Sequence, residues 1–256
     1  MAAIIKTEFM KLKRYFIVWI GVSLMLLTVL LTLFTTLADD GMVWNCQFLF
    51  EQVVKNFVTL IFPMCITLIS GYMISREYTD DTLKNIEIIP ISFRKLLAAK
   101  LIASAILSFF LGIVCFAFTV LADFIMGYDG FAFIPALTGL VQMAFLGFFL
   151  YLTMLPIIVL TSRQKGSFLA GVIVAFVYGL IGMFADGILQ SVYPVSAALG
   201  LINYRAGAEG VRWNRGLCFI SVLAMCVTGV ALMFVNQKQE KKDSQKAQRP
   251  APKKGW

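Results

Sequence analysis

Long apolar runs broken by short polar islands set the pattern of this chain. A helix needs about 20 apolar residues to cross the hydrocarbon core of a bilayer. Six stretches read as crossings: Phe16–Leu37, Phe57–Ile74, Leu101–Met126, Leu137–Thr161, Phe168–Phe184 and Leu217–Phe234. The runs are continuous rather than alternating, which predicts helices and not a β-barrel. The first run is too long for a signal-peptide core and no A-x-A site follows it, so it is expected to remain as a span. The pattern therefore predicts an all-α integral membrane protein with six transmembrane helices.

Four polar or mixed segments interrupt this plan. At the N-terminus (MAAIIKTEFMKLKRYF), Ile5, Phe9, Leu12 and Phe16 recur at helical spacing, with Lys6, Lys11, Lys13 and Arg14 off the stripe. This predicts an amphipathic helix over residues 1–15 lying in the headgroup layer. It serves either as an elbow that passes motion to the first span or as a surface anchor. The second segment, residues 75–100, is a charged island between the second and third spans. The second span is expected to run to about Tyr78, and Thr79 or Asp80 to cap a short helix over Asp81–Ile88. Pro90 stops that helix by pushing Ile89 out of the α region, and Ser92 caps the helix that feeds the third span. Leu83, Ile86 and Tyr78 form a small apolar patch flanked by Glu77, Lys84 and Glu87. So short a helix is marginal alone and would gain from a groove on a partner; an ordinary solvated loop is the other reading.

The third segment, residues 185–215, is semi-apolar but broken at Pro194, and non-helical backbone at membrane depth is tolerated only where protein or a cavity covers it. An outer gate or lipid-facing lid using Pro194, Tyr204 and Arg205 is one reading, with Tyr204, Arg205, Arg212, Trp213 and Arg215 meeting an anionic headgroup or phosphate; interfacial anchoring by Trp and Arg is the other. The fourth feature is a pair of polar residues within spans, Asp123 in the third and Gln142 in the fourth. An acid at membrane depth is a functional candidate, although Asp123 lies near enough to the outer end to be hydrated. No Lys, Arg, Asp or Glu falls near the middle of any span, which disfavours an ion-coupled carrier and suits amphipathic or lipid-like cargo. Pro63 and Pro156 are expected to break the second and fourth helices and offer flexible points, and Gly71, Gly171, Gly179 and Gly182 allow close helix packing.

Composition agrees with the pattern. Of 256 residues, 60% are hydrophobic and 14% charged, against about 25% charged in a soluble domain. Histidine is absent, which removes the commonest metal ligand and neutral-pH acid–base group. The five cysteines form no CxxC pair, so no metal site and no catalytic residue is expected; Cys46 and Cys218 leave a disulfide open. The net charge of +8 is distributed by topology rather than for nucleic acid. Eighteen of the 22 Lys and Arg residues fall on the face that carries both termini and the 75–100 island. The excess places that face, and both termini, in the cytoplasm. Residues 236–256 are rich in Lys, Gln, Glu and Pro and read as a disordered basic tail, either gripping anionic lipid or simply solvated.

The ordered set Ser75-Arg76-Glu77-Tyr78, Thr82-Leu83-Lys84, Pro90-Ile91-Ser92, Arg94 and Ala99-Lys100 resembles the signature of ABC-2 type transporter permeases. Glu8-x-x-Lys11-x-Lys13-Arg14 resembles the elbow of that family, and the resemblance spans residues 1–235 as one transmembrane domain. Size and compact loops resemble the bacitracin-resistance and lantibiotic-immunity permeases. The resemblance implies a bacterial plasma-membrane exporter subunit. It implies a coupling helix within Glu77–Ile88, with Arg76, Glu77, Tyr78, Thr82, Leu83, Lys84, Ile86, Pro90 and Arg94 at the interface with a cytoplasmic ATPase. Two ATPase copies and a second permease, identical or homologous, are implied. The chain lacks G-x-x-x-x-G-K-[ST], with Lys165-Gly166-Ser167 only a fragment of it, so ATP and Mg²⁺ are expected on the separate subunit and no cofactor on this one. A permease for another cargo, and a non-transporting membrane scaffold, are the remaining alternatives; no G-x-S-x-G motif supports an enzyme.

Overall fold

The computed structural model describes residues 2–36, 44–79, 93–161, 168–204 and 213–247, and among them every regular element is helical. Helix α1 (Ala2–Arg14) leads through Tyr15 into α2 (Phe16–Thr35). Helix α3 (Cys46–Asn56) continues through a π-helical stretch (Phe57–Ile61) into α4 (Phe62–Thr79). Helices α5 (Phe93–Met126) and α6 (Phe133–Thr161) follow. Helix α7 (Phe168–Ile181) ends in a 3₁₀ turn, Gly182–Phe184. Two short helices, α8 (Ile188–Val192) and α9 (Pro194–Leu201), precede the long α10 (Arg215–Ala247).

Five helices are long and apolar enough to cross a membrane, and the stretch Phe168–Phe184 is a shorter sixth. Their burial sorts them into layers. The second crossing is 78% buried and the fourth 67%, whereas the first and last are only 28% and 22% buried. The second and fourth therefore form the centre, and the first and last present their apolar side chains outward. Phe16, Phe34, Ile125, Phe184 and Ile188 are each at least 70% exposed, which only lipid or a partner chain accommodates.

The structure shifts several predicted boundaries. The second crossing begins at Cys46 rather than Phe57. The Asn45 side chain caps it, accepting from the Phe48 N–H at 2.8 Å. Gln47, Glu51, Gln52, Lys55 and Asn56 hide this extension from a hydropathy reading, and Asn56 donates to Thr32 Oγ1 on α2. Pro63 does not break the helix. The π-helical stretch just before it absorbs the missing N–H and the clash with the Thr59 carbonyl, and helix α6 also runs through Pro156. Helix α10 continues to Ala247, into the stretch read as a disordered tail; Gln, Lys and Glu are good helix formers, and Pro250 and Pro252 lie beyond its end.

A close helix crossing joins α5 and α6 at two glycines. A Cβ on Gly147 would lie 2.6 Å from the Ser108 carbonyl oxygen, and one on Gly112 would strike the Met143 carbonyl. Only glycine lets the two backbones approach this closely, so dispersion contacts can hold the pair together inside lipid.

Candidate functional site

The buried face of α1 carries a charge. Glu8 (1% exposed) sits one turn before buried Leu12, so burying the apolar stripe also takes the carboxylate inward. Its partner is Lys100 on α5, which is 2% exposed. Lys100 Nζ donates to Glu8 Oε2 at 2.9 Å and to the Met73 carbonyl of α4 at 2.9 Å. Lys11 Nζ holds the other carboxylate oxygen at 2.7 Å. Burial alone would raise the Glu8 pKa, but the Lys100 and Lys11 ammonium groups outweigh it and hold the carboxyl below its ordinary value. One carboxylate thus ties the N-terminal helix to the last turns of α4 and the first turns of α5.

A second contact lies beside it. The Arg76 guanidinium stacks over the Tyr15 ring at 4.5 Å and lies 6.0 Å from the Tyr72 ring, and those rings meet edge to face. Tyr15 is the hinge between α1 and α2, and Arg76 lies near the end of α4. Both helices that flank residues 80–92 are therefore clamped to the elbow, on the side that the charge bias makes cytoplasmic. A push on that segment would reach α1, α4 and α5 together.

Arg76, read from sequence as a coupling residue, is placed in this joint. Glu77 and Tyr78 fall in the last turn of α4 and Arg94 in the first turn of α5, with their side chains outside the described set. Thr82, Leu83, Lys84, Ile86 and Pro90 lie outside the described residues, as does Arg205. Sequence reasoning missed the roles of Glu8 and Lys100. The readable signal was a lone acid on an apolar helical face, but its partner lies 92 residues away.

On the outer side, residues 185–204 are pinned rather than loose. Pro194 opens α9 at its first turn, where a missing N–H costs nothing. Tyr193 Oη donates to the Tyr178 carbonyl at 2.6 Å, and Ser196 Oγ to the Gly182 carbonyl at 3.2 Å. Tyr204 is a buried strut: its hydroxyl donates to the Glu51 carbonyl at 3.1 Å and its carbonyl accepts from Trp213 Nε1 at 2.9 Å. Gln142 Nε2 donates to the Ile202 carbonyl at 3.2 Å, closing the C-terminal end of α9. Its place in the span is thereby explained structurally. Cys46 and Cys218 are both free thiols. Asp123, expected to be hydrated, is instead 4% exposed, because α3 and the α5–α6 turn cover it.

The pattern of the ABC-2 family of transporter proteins matches residues 4–182, the elbow through the fifth crossing. The chain belongs to the ABC-2 family. It is also 27% identical over 172 residues to the bacitracin transport permease protein BCRB of Bacillus licheniformis, covering 67% of this chain and 81% of that one. No solved structure matches. The chain is therefore a multi-pass cell-membrane permease subunit of a transporter, and the clamped joint flanks the segment expected to be its cytoplasmic handle.

Proposed function

We propose that this permease exports a membrane-active peptide antibiotic of the bacitracin or lantibiotic type, driven by ATP hydrolysed on a separate cytoplasmic subunit. The observation that carries the mechanical part is the joint. Glu8, Lys100, Met73, Tyr15 and Arg76 lock the elbow to both stems of the 80–92 segment. ATPase closure would displace that segment, and a stiff joint delivers the displacement to α2, α4 and α5 at once. Two permeases and two ATPases complete the working unit. Likeness to a bacitracin transport permease supports the cargo, as do spans without charge at mid-depth.

Expression with its ATPase in a sensitive host tests the cargo through the inhibitory doses of bacitracin and several lantibiotics. A rise for one of them is expected, and no change for any removes the cargo while leaving the permease. Docking is tested by Glu77→Lys and Leu83→Asp. Each is expected to leave insertion intact, weaken co-purification with the ATPase and abolish transport; full co-purification with retained transport would remove the docking assignment.

A further inference from the structure

A cleft of about 180 Å³ opens on the outer side between α3, the last turns of α5 and the start of α6. Phe50, Phe116 and Phe131 line it, and the Asp129 carbonyl closes its edge by accepting from the Cys46 N–H at 3.1 Å. Into this mostly apolar space projects one acid, Asp123. Cys46 shares the cleft wall with it, yet its Oδ1 is buried and has no hydrogen-bond partner. A buried carboxylate oxygen left unpaired is costly, and structures retain one where something else pairs it.

We propose that this cleft binds a primary ammonium group carried on an apolar body with no anion beside it. Three features select that chemistry. Oδ1 needs a donor, and a primary ammonium supplies one with full charge, whereas a quaternary ammonium supplies none. The three phenylalanine rings favour a cation over a neutral donor. Among the described residues, no Lys or Arg lines the cleft, so the phosphate of a zwitterionic phospholipid headgroup would have no counter-charge there. The rim accommodates the apolar body: Phe131, which lines the cleft, is 42% exposed, and the Phe124 ring, 66% exposed, meets it at 5.2 Å, at the level where an amphiphile lies in the outer leaflet. The cleft is sized for a side chain or an alkyl headgroup, below the roughly 300–1,000 Å³ of pockets that take whole drug-sized ligands. The assignment stands whether or not the transported cargo is a peptide.

Cys46, partly exposed at the cleft wall, reports occupancy. The full chain in nonionic detergent is alkylated with a maleimide, and labelling at Cys46 is mapped with and without dodecylammonium, with Cys226 as the internal reference. The readout is the ratio of rates with and without probe, because removing Asp123 itself alters the reactivity of Cys46. Dodecylammonium is expected to protect Cys46 in the wild type, with the half-protecting concentration rising about tenfold in Asp123→Asn, as loss of a charge-assisted hydrogen bond predicts. Ala136→Leu, which fills the cleft from α6 and keeps the acid, is expected to abolish protection at an unchanged elution volume. Dodecyltrimethylammonium and dodecylphosphocholine are expected to need at least about tenfold more. Equal protection in wild type and Asp123→Asn, or none in either, overturns the site. Protection by dodecylphosphocholine equal to that by dodecylammonium makes it a lipid groove and overturns the ligand class. Equal protection by the trimethyl compound overturns the primary-ammonium requirement.

Discussion

Helix α5 buries one ionisable residue near each end, and the protein surrounds the two in opposite ways. Lys100 and Asp123 are twenty-three residues apart, about 35 Å at 1.5 Å per residue, which is close to the roughly 30 Å hydrocarbon core. Each therefore sits at one boundary of the membrane. At the inner boundary Lys100 meets Glu8 and the Met73 carbonyl, and Lys11 takes the second carboxylate oxygen. At the outer boundary Asp123 keeps an oxygen with no partner beside an open cleft. A buried charge that is fully paired makes a rigid joint between elements; one left half-paired makes a place that a ligand can complete. The same helix thus has an end suited to receiving force and an end suited to receiving a molecule.

The largest expected effect breaks the inner end. Glu8→Gln or Lys100→Met leaves the other charge buried with too few partners, at a cost of about 3–5 kcal/mol. Thermal unfolding of the purified chain in detergent measures it. The double variant Glu8→Met/Lys100→Met is expected to be more stable than either single one, because neither buried charge remains to be desolvated. Simple additivity of the two losses would show that the pair does not act as a unit. The pH dependence follows from the depressed Glu8 pKa. Its folded value lies below the ordinary 4.5, so the pair contributes in full above 4.5, and the contribution is lost as pH falls through the lower, folded value. The gap between wild type and Glu8→Gln should therefore narrow on acidification below 4.5, and a gap that widens there would reverse the assignment.

A smaller effect is expected where the two ends are joined. Gly147→Val places a Cβ against the Ser108 carbonyl and forces α5 and α6 apart, at a cost of about 1–3 kcal/mol for overpacking. If α5 carries displacement between the joint and the cleft, this variant should lose more transport than its change in melting temperature explains. Loss of transport in strict proportion to folded protein would show that α5 merely packs there.

The two ends also differ in how readable they were from sequence. The apolar runs placed all six crossings, because membrane solvation imposes length and composition on each one locally. The elbow was readable from its stripe, and both helices flanking residues 80–92 ended near the expected residues: α4 at Thr79 and α5 beginning at Phe93, just after Ser92. What sequence did not supply was pairing. Glu8 with Lys100, Gln142 with the Ile202 carbonyl and Tyr204 with the Glu51 carbonyl join residues 60 or more positions apart. Nothing local at either partner names the other. Asp123 was singled out for its depth, but its burial depends on a start for α3 that polar residues concealed, so its environment was misjudged while its position was not.

The smallest expected effect is the sharpest test of the contrast. Asp123→Asn keeps the shape of the side chain and removes a charge with no full set of partners. If the outer acid were a structural group like Lys100, removing its charge would cost stability on the scale of the inner pair. If it is held for a ligand, the ligand-free protein loses nothing and sheds the penalty of an unpaired buried charge. The melting temperature of ligand-free Asp123→Asn is therefore expected to equal or slightly exceed that of the wild type, while Lys100→Met falls far below it. A drop in Asp123→Asn comparable to that of Lys100→Met would mean that the two ends of α5 are built alike, and the distinction between a joint and a receptor site would fail.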